Sequence, residues 1–223
     1  STFIKVITGV HKAEEGEMYL DGKKVDFKGP KDAQAAGIAA IYQHVTAYPD
    51  LTVAENIFMG HEIKKNGMIQ WKQMYAEADK LLEQLQADFK ANAEMGTLSV
   101  AQQQMVEIAK AVSHQAKVVI FDEPTSSLSD NEVEALFRIM NDLRDKGVAM
   151  IYISHKMDEI KRISDDITIM RDGTYVGTWR TEELTTDDII TKMVGRELTN
   201  VYPEKKGKIG DVVMEVKNYS SIH

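Results

Sequence analysis

Two adjacent carboxylates, Asp122 and Glu123, close an apolar run of Val118, Val119, Ile120 and Phe121, and Pro124 follows them directly. A run without polar interruption predicts a strand buried on both faces, inside a parallel sheet covered by helices. Ligands of open α/β sheets sit beyond the carboxyl ends of the strands, so two acids emerging there belong to chemistry more than to structure. Taken alone, Asp-Glu-Pro reads equally well as a solvated turn. Two further polar residues end apolar runs: Gln43 closes IAAIYQ, and His155 follows VAMIYIS. Each alone is an ordinary strand-end residue, whereas His11, His44, His61, His114 and His223 show no metal-ligand spacing.

The elements that must position these residues follow from periodicity. STFIKVITGV predicts a helix with Phe3, Ile4, Ile7 and Val10 on one stripe and Gly9 near its end. Asp21-Gly22 and a second Asp-Gly pair in DITIMRDGTYVGTW predict two β-hairpins, because both central positions of a type I′ turn need positive φ. KDAQAAG gives a short helix stopped by Gly37, and LTVAENIFMG another after a loop at Pro49. Met74, Ala78, Leu81, Leu82 and Leu85 recur at helical spacing and predict a helix from about Trp71 to Phe89. Ser99 can cap a helix burying Met105, Ile108, Ala109 and Val112. Ser129 and Glu132 form a capping-box pair opening a helix with Val133, Leu136, Met140 and Leu143 inward, ended by Gly147. KMDEIKRI and TTDDIITKMVG are helices behind the last buried strand and the second hairpin. Buried strands are expected near 38–42, 118–122 and 148–153. The stretch 201–211 reads as a polar, Gly-rich linker, and 212–223 as the start of a new alternating strand. The chain therefore reads as cut at both ends.

With 223 residues, 43% of them apolar, the chain can bury a full core, and one domain is the default. The absence of cysteine and of a leader-like N-terminus points away from disulfides and secretion, toward a reducing, cytoplasmic compartment. No apolar stretch approaches the roughly 20 residues that cross a bilayer, so a membrane role would be peripheral. A formal charge of -8 argues against a nucleic-acid partner, which calls for clustered Lys and Arg. The 12 methionines read as core filler.

Four features in order resemble the ATP-binding cassette (ABC) ATPases: Gln43 as the Q-loop glutamine, LSVAQ at 98–102 as the LSGGQ signature, VVIFDEP as Walker B, and His155 as the switch histidine. Any one is weak; together they extend over essentially the whole chain. QQMVEIAKA, DEPTSSLS and YISHKMDEI are most similar to the first cassette of double-cassette ATPases of bacterial monosaccharide importers, of the galactose/methyl-galactoside or ribose class. The resemblance implies an α/β fold, a P-loop NTPase-like core of mostly parallel sheet flanked by helices, with an antiparallel β subdomain and a helical signature subdomain at about 61–113. It also implies a domain over 1–200 whose phosphate-binding loop, G-x-x-x-x-G-K-[ST], would lie before Ser1, and a second cassette beginning near 212.

The same resemblance implies ATP as substrate and Mg²⁺ as cofactor. Glu123 would polarise the attacking water, His155 would reach the γ-phosphate, and Gln43 would contact metal and water and couple the site to a membrane partner. Ser1, Gln43 and Asp122 are the implied metal shell, and Ser1 and Thr2 adjoin the nucleotide. Ser99, Val100, Ala101 and Gln102 would close over the γ-phosphate of another cassette through the free N–H groups of a helix N-terminus. Val100 and Ala101 stand where the signature has two glycines, and a β-branched residue and an added methyl restrict close backbone approach. Ser129 stands where many relatives have the D-loop Asp. Implied partners are integral membrane permease subunits, a periplasmic or extracellular sugar-binding protein, and a second ATPase copy, with residence at the cytoplasmic face of the inner membrane. Two other classes remain: an ABC ATPase uncoupled from transport, and a structural cassette that does not hydrolyse.

Overall fold

The structure, a computed structural model, describes residues 2–42, 47–114, 116–126, 128–195, 214, 215 and 217. Helix α1 (Thr2–Ile7) is followed by a hairpin of β1 (Met18–Leu20) and β2 (Lys23–Val25), then α2 (Pro30–Ala35) and β3 (Ile38–Ile41). Next come α3 (Val53–Phe58), a small hairpin of β4 (Lys64–Lys65) and β5 (Met68–Ile69), and α4 (Trp71–Gln84). The second half runs α5 (Val100–Ser113), β6 (Val118–Asp122), α6 (Asp130–Asp145), β7 (Ala149–Ile153) and α7 (Met157–Ile163). It ends with the hairpin β8 (Asp166–Arg171) and β9 (Thr174–Arg180), and α8 (Thr186–Val194).

β6 lies at the centre of a parallel sheet ordered β3-β6-β7, with Ile38 opposite Val118 and Val118 opposite Ala149. Its side chains alternate between two cores, as the period of 2 requires. Val119 and Phe121 join the large core formed with α3, α4, α5 and α6, while Ile120 packs with Ile4 of α1, Ala33 of α2 and Ile38. The strand is thus covered on both faces, as its unbroken apolar run predicts. The β1–β2 and β8–β9 hairpins form separate antiparallel pairs, and their turns place Asp21, Gly22, Asp172 and Gly173 at φ of 50°, 72°, 51° and 76°. β8, β9 and α8 close a third small core around Ile167, Ile169, Leu184 and Ile189. No described helix is long and apolar enough to cross a membrane.

Four details depart from the sequence reading. The helix expected to reach Phe89 stops at Gln84, because Gln86 adopts φ 55° and the Asp79 carboxylate accepts the Ala91 N–H at 3.0 Å, folding the chain back. The buried face of α5 is Gln104, Val106, Ile108, Ala109 and Ala111, with Met105 and Val112 only half-buried, because α3 and α4 both pack on this helix. In α6, Phe137 and Ile139 are buried while Val133 is half-buried. β7 is half-exposed instead of buried. It has one strand neighbour among the described residues, and its open edge and β8 border a cleft of about 830 Å³ rimmed by Phe3 and Ile4. The stretch between α3 and α4 also holds the β4–β5 hairpin, whose Asn66-Gly67 turn, at φ 52° and 79°, is the same type I′ signal and was legible in the sequence.

Candidate functional site

Parallel pairing sets Asp122 opposite Ile153, so the acids leaving β6 and the Ser154-His155 step leaving β7 reach the same sheet edge. The Glu123 N–H donates to the Ile153 carbonyl at 2.9 Å, extending the ladder by one residue. Glu123 then takes φ 52°, a left-handed conformation unusual for a residue with a Cβ, and such strain concentrates at working sites. This geometry aims its carboxylate at His155: Nδ1 lies 3.0 Å from Oε1 and 2.9 Å from Oε2. The glutamate is recessed, its side chain 22% exposed, while His155 is 72% exposed. Donation from Nδ1 fixes the ring orientation and leaves Nε2 as the second functional atom of the imidazole.

Asp122, half-buried at the strand end, makes no side-chain hydrogen bond or ion pair among the described residues. A carboxylate without such partners, beside a second carboxylate, suits a hard divalent cation, which takes one or two such oxygens and completes its shell with water and phosphate. The other predicted metal ligands, Ser1 and Gln43, lie outside the described residues, as do the expected linker at 201–211 and most of 212–223. Thr2 is exposed at the start of α1.

The signature residues form a separate group. Ser99 is the N-cap of α5: its Oγ accepts the Gln102 N–H at 3.3 Å, and Gln102 Oε1 accepts the Ser99 N–H at 2.9 Å. Gln102 Nε2 also donates to Asp88 Oδ1 at 2.9 Å, tying the helix start to the loop after α4. Val100 follows the cap, half of its surface exposed, with Ala101 beside it. Among the described residues no hydrogen bond or ion pair joins this group to Asp122, Glu123 or His155. The chain therefore presents two separate groups: an acid–imidazole pair at the sheet edge and a capped helix N-terminus elsewhere.

Sequence reasoning missed a third group beside the first. Glu159 of α7 accepts from Thr125 Oγ1 and from the Tyr152 hydroxyl, each at 2.7 Å, and pairs with Lys156 Nζ at 3.1 Å. Burial pushes the Glu159 carboxyl up, but the hydroxyls of Thr125 and Tyr152 and the Lys156 ammonium outweigh it and hold it below the ordinary value. Burial, and then the Glu159 carboxylate, push the Tyr152 phenol up. The one signal in the sequence was a tyrosine inside an apolar strand, since a buried phenol calls for a partner.

A profile of the ABC transporter family matches residues 1–126. The galactose/methyl galactoside import ATP-binding protein of Clostridium tetani is 49% identical over 225 residues, covering 99% of this chain and 45% of that protein. The xylose import ATP-binding protein of Photobacterium profundum is 46% identical over 223 residues, covering 99% and 44%. This chain thus spans less than half the length of these relatives. Among solved structures, an ATP-binding cassette of an ABC transporter superposes with a TM-score of 0.72 at 28% identity, over 85% of this chain and 78% of that one. The ADP conformation of an ATP-binding cassette of an ABC transporter gives 0.70 at 27% identity, over 85% and 77%.

Proposed function

The chain belongs to the ABC transporter family, and we propose that it is the ATP-binding and ATP-hydrolysing part of a subunit that energises uptake of a monosaccharide, of the galactose/methyl-galactoside or pentose class, through a membrane permease. The observation that carries the reading is the pairing of Glu123 with His155 across the parallel β6–β7 edge, next to the carboxylate of Asp122. The sugar class rests on the names of relatives 49% and 46% identical to this chain.

In this reading water attacks the γ-phosphate in line, and catalysis is chiefly positioning and charge stabilisation. Glu123, recessed and pointed by its left-handed backbone, orients and polarises the water. His155, held through Nδ1, offers Nε2 to the γ-phosphate. Asp122, with Ser1 and Gln43, would hold Mg²⁺, which when bound neutralises charge on the phosphate oxygens. Among the described residues β7 and β8 each have one strand neighbour, and both border the cleft of about 830 Å³. Ser99, Val100, Ala101 and Gln102 would close the nucleotide site of a second cassette. The partners are permease subunits at the cytoplasmic face of the membrane, an external sugar-binding protein, and a second ATPase copy.

One observation favours a second reading, a cassette that binds ATP without rapid hydrolysis: Val100 holds the first turn of α5 where close backbone approach to a phosphate favours glycine. ATP turnover by the full-length protein with its permease, stimulated by sugar-loaded binding protein, separates the two. Turnover that disappears in Glu123→Gln supports hydrolysis at this site; turnover untouched by that change removes it.

A further inference from the structure

We infer that Glu159 is a positioning residue that fastens the turn carrying Glu123 to the turn carrying His155, so that the acid and the imidazole are presented as one unit. The inference rests on the hydrolytic reading above. Glu123 and His155 leave two different strands, and their mutual contact is exposed on the histidine side. An exposed pair of this kind contributes little and does not by itself fix two loops. What lies beneath it is of another kind. Thr125, two residues beyond Glu123, is 1% exposed and donates from Oγ1 to Glu159 Oε2 at 2.7 Å. Tyr152, near the end of β7, donates to the same oxygen at 2.7 Å. Lys156, the residue after His155, gives its ammonium to Glu159 Oε1 at 3.1 Å and to the Thr125 carbonyl at 3.1 Å.

Both turns therefore end on one carboxylate, and Lys156 bridges that carboxylate to the backbone of the first turn. The Glu159 side chain is 13% exposed, so these charge-assisted bonds act where water competes little. Tyr152 is braced from behind by an edge-on contact with Phe137 of α6, ring centroids 6.2 Å apart. The Lys156 N–H in turn donates to Ser154 Oγ at 3.0 Å, which tightens the His155 turn itself. Among the described hydrogen bonds and ion pairs, none joins Glu159 to Asp122, Glu123 or His155, so it acts through Thr125 and Lys156.

The test uses the full-length protein with its permease and reads the part of ATP turnover that Glu123→Gln removes. Thr125→Val, which keeps shape, and Glu159→Ala are each expected to lower kcat about tenfold or more with KM for ATP within about twofold. Because they break one link, the double variant is expected to be about as slow as the slower single variant. Glu159→Gln, which keeps an acceptor for the two hydroxyls, is expected to recover most of the rate lost in Glu159→Ala. Losses that multiply in the double variant would overturn the inference. So would unchanged kcat in folded Thr125→Val, or a lowered unfolding midpoint without a change in kcat. No ATP turnover in the unsubstituted protein would overturn the hydrolytic reading and this inference with it; turnover in the parent with multiplicative losses would overturn the inference alone.

Discussion

Replacing Glu123 by glycine and, separately, by glutamine divides its two burdens, backbone and carboxylate. At φ 52° the backbone is left-handed, which costs a residue with a Cβ roughly 1–2 kcal/mol. Both substitutions remove the carboxylate, and loss of a general base lowers the rate about 10²- to 10⁴-fold, roughly 3–5 kcal/mol of barrier. Glutamine keeps the strain and an oxygen able to accept from Nδ1 of His155; glycine relieves the strain and gives up the contact. That contact, with His155 72% exposed, contributes about 0–1 kcal/mol. The glycine variant should therefore be more stable than the glutamine variant by about 1 kcal/mol, a rise of about 2–4 °C in unfolding midpoint for a cooperative unit of this size. Thermal unfolding and steady-state ATP turnover of the full-length variants check both halves. A glycine variant that melts below the glutamine variant would refute the strain argument. Turnover within a few-fold of the parent in either variant would refute the catalytic one.

Phe121→Ala should cost about 3–5 kcal/mol, since Phe121 is fully buried in the central strand; a denaturant midpoint shift at unchanged slope would measure it. Gly9→Ala should destabilise by more than about 1 kcal/mol, because Gly9 sits at φ 71° and an added Cβ would lie 2.7 Å from the Gly29 carbonyl oxygen. His114 lies against His61 with ring centroids 3.5 Å apart and ring planes tilted by 40°, and burial, then His61 and Lys110, push its pKa down to about 4. Its folded value lies below the ordinary 6.5, so the unfolded chain binds the proton first and stability contributed by neutral His114 is complete above about 6.5 and lost as pH falls toward 4. Unfolding of His114→Gln followed over that window should fall less steeply with pH than the parent; parallel curves would contradict the assignment.

The local elements were legible because each rests on short-range physics. The Asp21-Gly22 turn needs positive φ at adjacent positions, and its residues say so. Ser129 and Glu132 are spaced to close a capping box, and the structure has the Glu132 carboxylate accept from the Ser129 N–H at 2.8 Å. The apolar run ending in Asp122 and Glu123 announced a strand covered on both faces, and Ile120 and Phe121 do enter opposite cores. The end of α4 was not legible, because it depends on Asp79 reaching Ala91 across a loop. Nor was the half-exposure of β7, which depends on what borders its outer edge and not on its own composition.

The residue types at the candidate site and their order along the chain are properties of the sequence, and so is the kinship that LSVAQ and VVIFDEP announce. That Glu123 meets His155 is decided by parallel register between two strands separated by a helix, a pairing no local pattern encodes. The carboxylate that joins their turns is more remote still. Glu159 is an ordinary helical acid in the sequence, and it becomes a junction only when the fold brings Thr125, Tyr152 and Lys156 to its two oxygens. Local propensity fixes which residues stand at the ends of elements; burial and long-range pairing fix which of those ends meet.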